Sequence, residues 1–308
     1  MKLLKALVLL LLAGLTYPLH SQDLISEEDR VALKAYEDTI ALLSFAVIND
    51  SLPEHRFGAT KKLIPTLVKA LKCKNSFHYP FKRVQSISIQ YPADSTFRIF
   101  TWQLYVDENE SRYYGAIQMN SEDLQLFPLY DRSAEVQQPE FEILDNEHWY
   151  GALYYNLIPF DSYQGRKYLL FGYDRYSFFQ KRKIVDVLSF PNGKPVFGAG
   201  VFVESDPEKG QLIRNRLVLE YYAEASIKLN YDQFLNLIVF DHLITIGGVA
   251  DQGPTKVPDG SYSAYEQREG IWVYVPKVFH EVLDEAPRPE PVLDDKKKID
   301  LFGNQKNN

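Results

Sequence analysis

The sequence predicts a mainly β protein of the α+β kind: a long antiparallel meander, curved or folded into two layers, behind an N-terminal helical hairpin. Three observations carry this prediction. From Arg83 onward the apolar residues recur at period two, in many short runs separated by turn residues. The chain is rich in aromatics, with 21 Tyr and 19 Phe, which suit a pleated, half-buried surface. Finally, one strand pattern is written twice. Tyr113-Tyr114-Gly115-Ala116-Ile117 leads to Tyr130-Asp131-Arg132, and Trp149-Tyr150-Gly151-Ala152-Leu153 leads to Tyr173-Asp174-Arg175. Echoes at Phe197-Gly198-Ala199 and Val239-Phe240-Asp241-His242 are few and irregularly spaced, which favours a repeated hairpin over a complete propeller.

Four segments follow in order. Residues 1–21 read as a secretory signal peptide. Lys2 and Lys5 precede an apolar run from Ala6 to Leu15 that is too short to span a bilayer, and Ser21 stands at the expected cleavage point before Gln22. Residues 22–78 form the helical hairpin. Ser26-Glu27-Glu28-Asp29 has the capping-box pattern, and Ala32, Tyr36, Ile40, Leu43 and Val47 make one helix face. Pro53 opens a second helix striped by Leu63, Leu67 and Leu71, which Pro65 is expected to kink or split.

Residues 79–282 form the β domain. Its strands are expected at 84–91, 97–106, 113–119, 125–130, 149–157, 167–173, 183–190, 195–203, 217–222, 226–231, 235–244 and 271–275. Pro191-Asn192-Gly193-Lys194 carries the Asn-Gly hairpin signal, and Glu269-Gly270 a weaker one. The Gly- and Pro-rich stretch from Ile246 to Gly260 reads as a long loop with a purpose of its own. Residues 283–308 are proline-rich and charged, and read as an extended tail.

Composition excludes several classes. The net charge of -7 argues against a binder of nucleic-acid phosphates, which needs a clustered basic face. The single cysteine, Cys73, rules out an intramolecular disulfide, so an exported chain must rely on its core. Cys73 lies between Lys72 and Lys74, which could activate its thiol, or it is a half-buried helix-end residue. No phosphate-cradling glycine motif and no Gly-x-Ser-x-Gly elbow is present, and no second apolar run is long enough for a transmembrane span. His280-Glu281 with Asp284 is short of a zinc cage, so neither a metal nor a cofactor is implied.

The candidate site residues fall into three groups. Asp131, Asp174 and Asp241 each follow an aromatic at a strand end. Brought to one rim they could serve as paired carboxylates for glycoside hydrolysis, or each could accept turn N–H groups. Glu220 and Glu224 sit on one side of a continuous strand, as acid and base or as half of a surface ladder with Lys228. The aromatics Trp102, Trp149, Tyr150, Tyr154 and Tyr155 form either a stacking platform or core. Gly248, Asp251, Gly253 and Asp259 mark the Gly/Pro loop as a contact surface.

The Ser21-Gln22 junction, Phe97-Arg98-Ile99-Phe100-Thr101-Trp102-Gln103, Val239-Phe240-Asp241-His242-Leu243 and Val257-Pro258-Asp259-Gly260-Ser261-Tyr262 together resemble uncharacterised exported proteins of Bacteroidota-type bacteria. The resemblance covers most of the mature chain and implies a periplasmic, outer-envelope or secreted location. It transfers no catalytic residue. The expected function is therefore an exported, non-enzymatic binding or envelope-assembly protein, with an envelope protein or glycan as partner. The alternative is a cell-envelope glycan hydrolase working with paired carboxylates.

Overall fold

The computed structural model describes residues 24–206, 210–247 and 253–278. The expected signal peptide and charged tail, His280 to Asp284, Gly248 and Asp251 lie outside the described residues.

Two helices open the described chain, α1 (Glu27–Asn49) and α2 (Pro53–Leu71). The Ser26 cap forms as read: its Oγ accepts the Asp29 N–H at 3.1 Å, while the Asp29 carboxylate takes the Ser26 hydroxyl at 2.7 Å. The buried face of α1 is Leu33, Glu37, Ile40, Ser44 and Val47, so only Ile40 and Val47 of the expected stripe are fully inside. Glu37 turns the face. Its carboxylate accepts the Tyr79 hydroxyl at 2.6 Å and the Arg83 N–H at 2.8 Å, which offsets the cost of burying a charge that hydropathy would place outside. Burial and this bond together push the Tyr79 hydroxyl up to about 12. Pro65 does not split α2. Both Pro65 and Lys61 face water, so the carbonyl released by the missing N–H is solvated.

The first sheet is β1 (Ser88–Gln90), β2 (Phe97–Tyr105), β3 (Ser111–Met119) and β4 (Leu126–Tyr130), in that order. The second runs β5 (Leu144–Asp145), β9 (Val196–Phe197), β8 (Gln180–Ser189), β7 (Gly165–Asp174) and β6 (Leu153–Ser162), with β12 (Leu217–Tyr222) also paired to β8. The third runs β11 (Gly210–Arg214), β10 (Phe202–Asp206), β16 (Ile271–Val275), β15 (Thr255–Arg268), β14 (Leu237–Ile246) and β13 (Leu229–Asp232). The α+β class with an N-terminal helical hairpin is therefore present. The arrangement differs from a plain antiparallel meander, because β10 and β16 pair in parallel and the strands divide among three sheets.

Three cores hold these layers together. Leu33, Ile40, Leu63 and Leu67 of the helices pack on Phe100, Trp102 and Leu104 of β2. The other face of the first sheet, with Phe97, Ile99 and Ile117, packs on Tyr154, Leu170, Ile184 and Leu188 of the second. The opposite residues of the second sheet, Leu169, Phe171, Val185 and Val187, pack on Phe202, Ile238, Tyr265 and Trp272 of the third. Strands β7 and β8 are buried on both faces, hence their continuous apolar runs.

Both predicted turns join paired strands. Asn192 and Gly193 take φ of 55° and 74°, and Glu269 and Gly270 take 48° and 84°. Two expectations fail. Residues 195–203 are not one strand: Gly198, at φ 99°, breaks the run, and the chain leaves the second sheet at Phe197 to enter the third at Phe202. The stretch 246–260 is not one long loop, because β14 reaches Ile246, β15 begins at Thr255, and Leu243 pairs with Pro258. Beyond the register shift between Asp241 and Leu243 these two strands pair only with each other. They form a narrow arm in which an edge proline is tolerated. Among the described residues no helix is long and apolar enough to cross a membrane.

The two copies of the repeat are not equivalent in structure, but they meet. Gly115 lies within β3, whereas Gly151 precedes β6. Asp131 bridges in parallel to Trp149, the Arg132 N–H donates to the Trp149 carbonyl at 2.9 Å, and the Gly151 N–H donates to Ser133 Oγ at 2.8 Å. A Cβ on Gly151 would lie 2.5 Å from the Asp131 carboxyl. Gly151→Ala should therefore destabilise the protein by about 1–3 kcal/mol through overpacking, read as a lower urea midpoint at unchanged slope.

Candidate functional site

The strand-end aspartates are placed by hydrogen bonds, not gathered on a rim. The Asp131 carboxylate accepts the Tyr113 N–H at 2.9 Å and the Ser133 N–H at 3.0 Å, with the Ser133 hydroxyl beside it. Asp174 is buried. It accepts the Tyr150 hydroxyl at 2.8 Å, the Tyr113 hydroxyl at 3.2 Å and the Tyr176 N–H at 2.9 Å. Burial holds its carboxyl above the ordinary aspartate value, although all these donors pull it down. Asp241 belongs to the third sheet and accepts the Lys228 N–H. Tyr113 thus links Asp131 to Asp174, while Asp241 stands apart on the third sheet, and the three do not form one rim.

The aromatic platform is likewise corrected. Trp102, Trp149 and Tyr150 are 3%, 0% and 1% exposed and belong to the core. Trp102 stacks on Tyr114 at 5.7 Å, Trp149 donates its indole N–H to the Tyr154 hydroxyl at 2.9 Å, and Tyr155 donates to the Leu229 carbonyl at 2.7 Å. Glu220 and Glu224 do not share a strand face: β12 ends at Tyr222, and Glu224 follows in a turn. Glu220 is held by Arg182 at 2.6 Å and 2.8 Å. In the arm, Gly253 and Asp259 are exposed, and Asp259 accepts the Ser261 N–H at 2.9 Å. Cys73 is half-buried, and burial pushes its thiol up, away from activation by the flanking lysines.

Sequence reading missed the deepest polar cluster. Asp186 on β8 and Arg216 before β12 are both 0% exposed, with Arg216 Nε 2.9 Å from Asp186 Oδ2. The geometry is that of an ion pair rather than an aligned hydrogen bond, since Arg216 Nε and Nη2 have no hydrogen-bond partner. The Tyr154 hydroxyl also reaches Asp186, and Arg216 Nη1 donates to the Pro139 carbonyl. The available signal was a charge inside an apolar run, Ile184-Val185-Asp186-Val187-Leu188.

The open chemistry lies elsewhere. Where β12 meets β15, two adjoining cavities of about 250 and 330 Å³ share Glu140, Val218 and Lys256. Glu140 is delivered by its own backbone, whose carbonyl accepts the N–H groups of Asn215 at 2.7 Å and Arg216 at 3.2 Å. Its carboxylate lies 3.0 Å from Arg214, which also meets Glu204 at 2.8 Å. Burial pushes the Glu140 carboxyl up, against the pull of Arg214 and Lys256. Arg182 and Glu220 close one end. At the other, His242 Nδ1 meets Ser263 Oγ at 3.2 Å, and that hydroxyl meets the Tyr274 hydroxyl at 3.0 Å. Tyr265 lies beneath, stacked on Phe240 at 5.9 Å. A larger hollow of about 520 Å³ is lined by Asp131 and by local surface pairs, Arg112 with Glu110 and Arg132 with Glu135. No group of three or more His, Cys, Asp or Glu among the described residues is placed to hold a metal ion.

Two outcomes test the buried network. Asp186→Ala leaves the Arg216 charge uncompensated and should cost about 3–5 kcal/mol in urea unfolding, far more than an exposed aspartate would. Asp174→Asn removes a titrating group. A carboxyl raised above 3.8 contributes its stability below that pH and loses it as pH rises through the folded value. The stability gap between wild type and Asp174→Asn should therefore narrow from about pH 3 to about pH 7. A gap that widens would contradict the burial-dominated account.

No protein-family model, curated protein or solved structure matches this chain.

Proposed function

We propose that this protein is an exported, non-enzymatic binding component of the cell envelope, working through the cleft between the second and third sheets and the arm beside it. The observation that carries the reading is the state of the cleft's carboxylates. Arg214 lies within ion-pair distance of both Glu140 and Glu204, and Arg182 donates two hydrogen bonds to Glu220, so each of these carboxylates is matched by a cation, although the Arg214 Nε facing Glu140 makes no hydrogen bond. Such pairs hold a fixed pattern of donors and acceptors toward the open space, which suits recognition. The strand-end aspartates support it by being committed to backbone and tyrosine donors. Export rests on the pattern of residues 1–21, and the acidic composition speaks against a nucleic-acid partner.

Glycan hydrolysis remains a second reading, favoured by one feature. Glu140, pushed up by burial, lies across Arg214 from Glu204, and a carboxyl raised by its environment is how a general acid is set.

An affinity pull-down from native envelope separates the two. Lys256 is exposed on the arm at the cleft mouth. Wild type should retain an envelope component that Lys256→Glu loses, with both forms melting together. Equal retention, or none by either, refutes binding through the cleft. Release of reducing ends from envelope glycans that ceases in Glu140→Gln would install the hydrolase instead.

A further inference from the structure

We infer that the cleft is built for a neutral, polyhydroxylated ligand, a segment of uncharged oligosaccharide, in an assignment that rests on the binding reading above. Charge balance is the first argument. Arg182, Arg214 and Lys256 face Glu140, Glu204 and Glu220, so the lining cations and carboxylates cancel. A ligand of either sign gains little net attraction there, and loses hydration on entering. Neutral groups that hydrogen-bond strongly do not face this penalty.

The second argument is the form of the free valences. Arg214 donates Nη1 to Glu204 at 2.8 Å, while its Nε lies 3.0 Å from Glu140 as an ion pair without a hydrogen bond. Each carboxylate that meets an arginine at one oxygen keeps lone pairs on the other. A sugar hydroxyl donates and accepts at once, so it can bridge an arginine N–H and a neighbouring carboxylate without disturbing the pair. Two further donors complete the set. Lys256 makes no ion pair within contact distance among the described residues. The Tyr265 hydroxyl makes no hydrogen bond among the described residues and stays protonated because burial raises it.

The third argument is the apolar floor. Leu217, Val218 and Leu219 of β12 line one side, and the rings of Tyr265 and Tyr274, 5.5 Å apart, line the other. A pyranose presents a C–H face with hydroxyls around its edge, which matches apolar walls rimmed by charged pairs. A peptide partner fits less well. It would look for a deep apolar pocket to take an anchor side chain, and in the cleft the apolar surface is shallow and ringed by ion pairs.

The test is calorimetric titration of the mature protein with malto-, cello-, xylo- and chitotetraose, with tetragalacturonate and tetra-alanine as charged-ligand probes. At least one neutral tetraose should bind. Tyr265→Phe, which removes only a hydroxyl, should weaken it about tenfold, in line with the loss of one buried hydrogen bond. Lys256→Glu should weaken it as well, and far-UV circular dichroism should be unchanged in both variants. Binding confined to the galacturonate or the peptide, sensitive to Lys256→Glu, overturns the neutral-sugar assignment and leaves the cleft as a binding site. Neutral-sugar binding that neither substitution affects places the sugar elsewhere and overturns the assignment. Binding by none of the probes also overturns it, and the envelope pull-down then decides separately whether the cleft binds anything.

Discussion

The Asp186–Arg216 ion pair sits where the layers and the cleft depend on each other. Asp186 is on β8, a strand buried on both faces, so no water can reach its carboxylate. Two charges withdrawn from water are expensive, and their mutual attraction offsets this only when further polar groups complete the site. Here the Tyr154 hydroxyl, itself held by Trp149, turns to Asp186, and the Pro139 carbonyl takes an Arg216 N–H. That last contact reaches beyond the core. The same crossing brings the Asn215 and Arg216 N–H groups onto the Glu140 carbonyl, which sets the Glu140 side chain against Arg214. The buried pair thus positions a residue of the open cleft.

Other arginines join layers in the same way without a carboxylate. Arg98, 0% exposed on β2, donates to Gln118, to the Tyr91 hydroxyl and to the carbonyls of Ser76 and Tyr79. Its guanidinium also lies 4.8 Å from the Phe100 ring centre. Arg56 of α2 reaches the Tyr105 carbonyl at 2.8 Å and the Asp50 carbonyl at 2.7 Å. A guanidinium has five donors in a rigid plane and stacks on rings, so one side chain can satisfy several loop carbonyls that a sheet ladder leaves unpaired. In a chain with no intramolecular disulfide, these multi-donor contacts fix loops to strands.

What could be read from the sequence is what local chemistry decides. The Ser26 cap and the Asn192-Gly193 and Glu269-Gly270 turns depend on residues near one another and formed as expected, whereas the run at 84–91 is strand only at Ser88–Gln90 and the run at 149–157 becomes strand only from Leu153. The failures share a cause in distant contacts. Glu37 is inside because Tyr79 and Arg83 come to it, and no periodicity within α1 records that. Trp149 and Tyr150 look like a sugar platform, but both pack inside the core with the first and second sheets, where the Tyr154 hydroxyl and the Asp174 carboxylate take their polar ends. The strand at 195–203 divides because Gly198 turns the chain between sheets, although its apolar run continues. The cleft itself was invisible. Glu204 and Arg214 meet across the β10–β11 hairpin, but Glu140 and Lys256 lie far from them in the sequence and carry no motif, so only the tertiary fold brings the four together.

That stacking also explains why the cleft stays open while the rest of the sheet interface is packed. Strand β12 pairs with β8 and faces β15 without a ladder to it. In the packed core the gap is filled by Phe202, Ile238 and Trp272. Toward the arm, the register of β14 with β15 shifts between Asp241 and Leu243, and charged residues join the apolar ones on the facing side. Charged side chains cannot be desolvated as cheaply as leucines, so the sheets do not close over them. They pair in the opening instead, and the arm that supplies Lys256 extends from the same point. A two-stranded arm has little stability of its own and takes its position from whatever its base contacts. Leu243 at that base and Lys256, further out and paired with Thr245, both line the cleft, so the position of the arm and the shape of the cleft are linked.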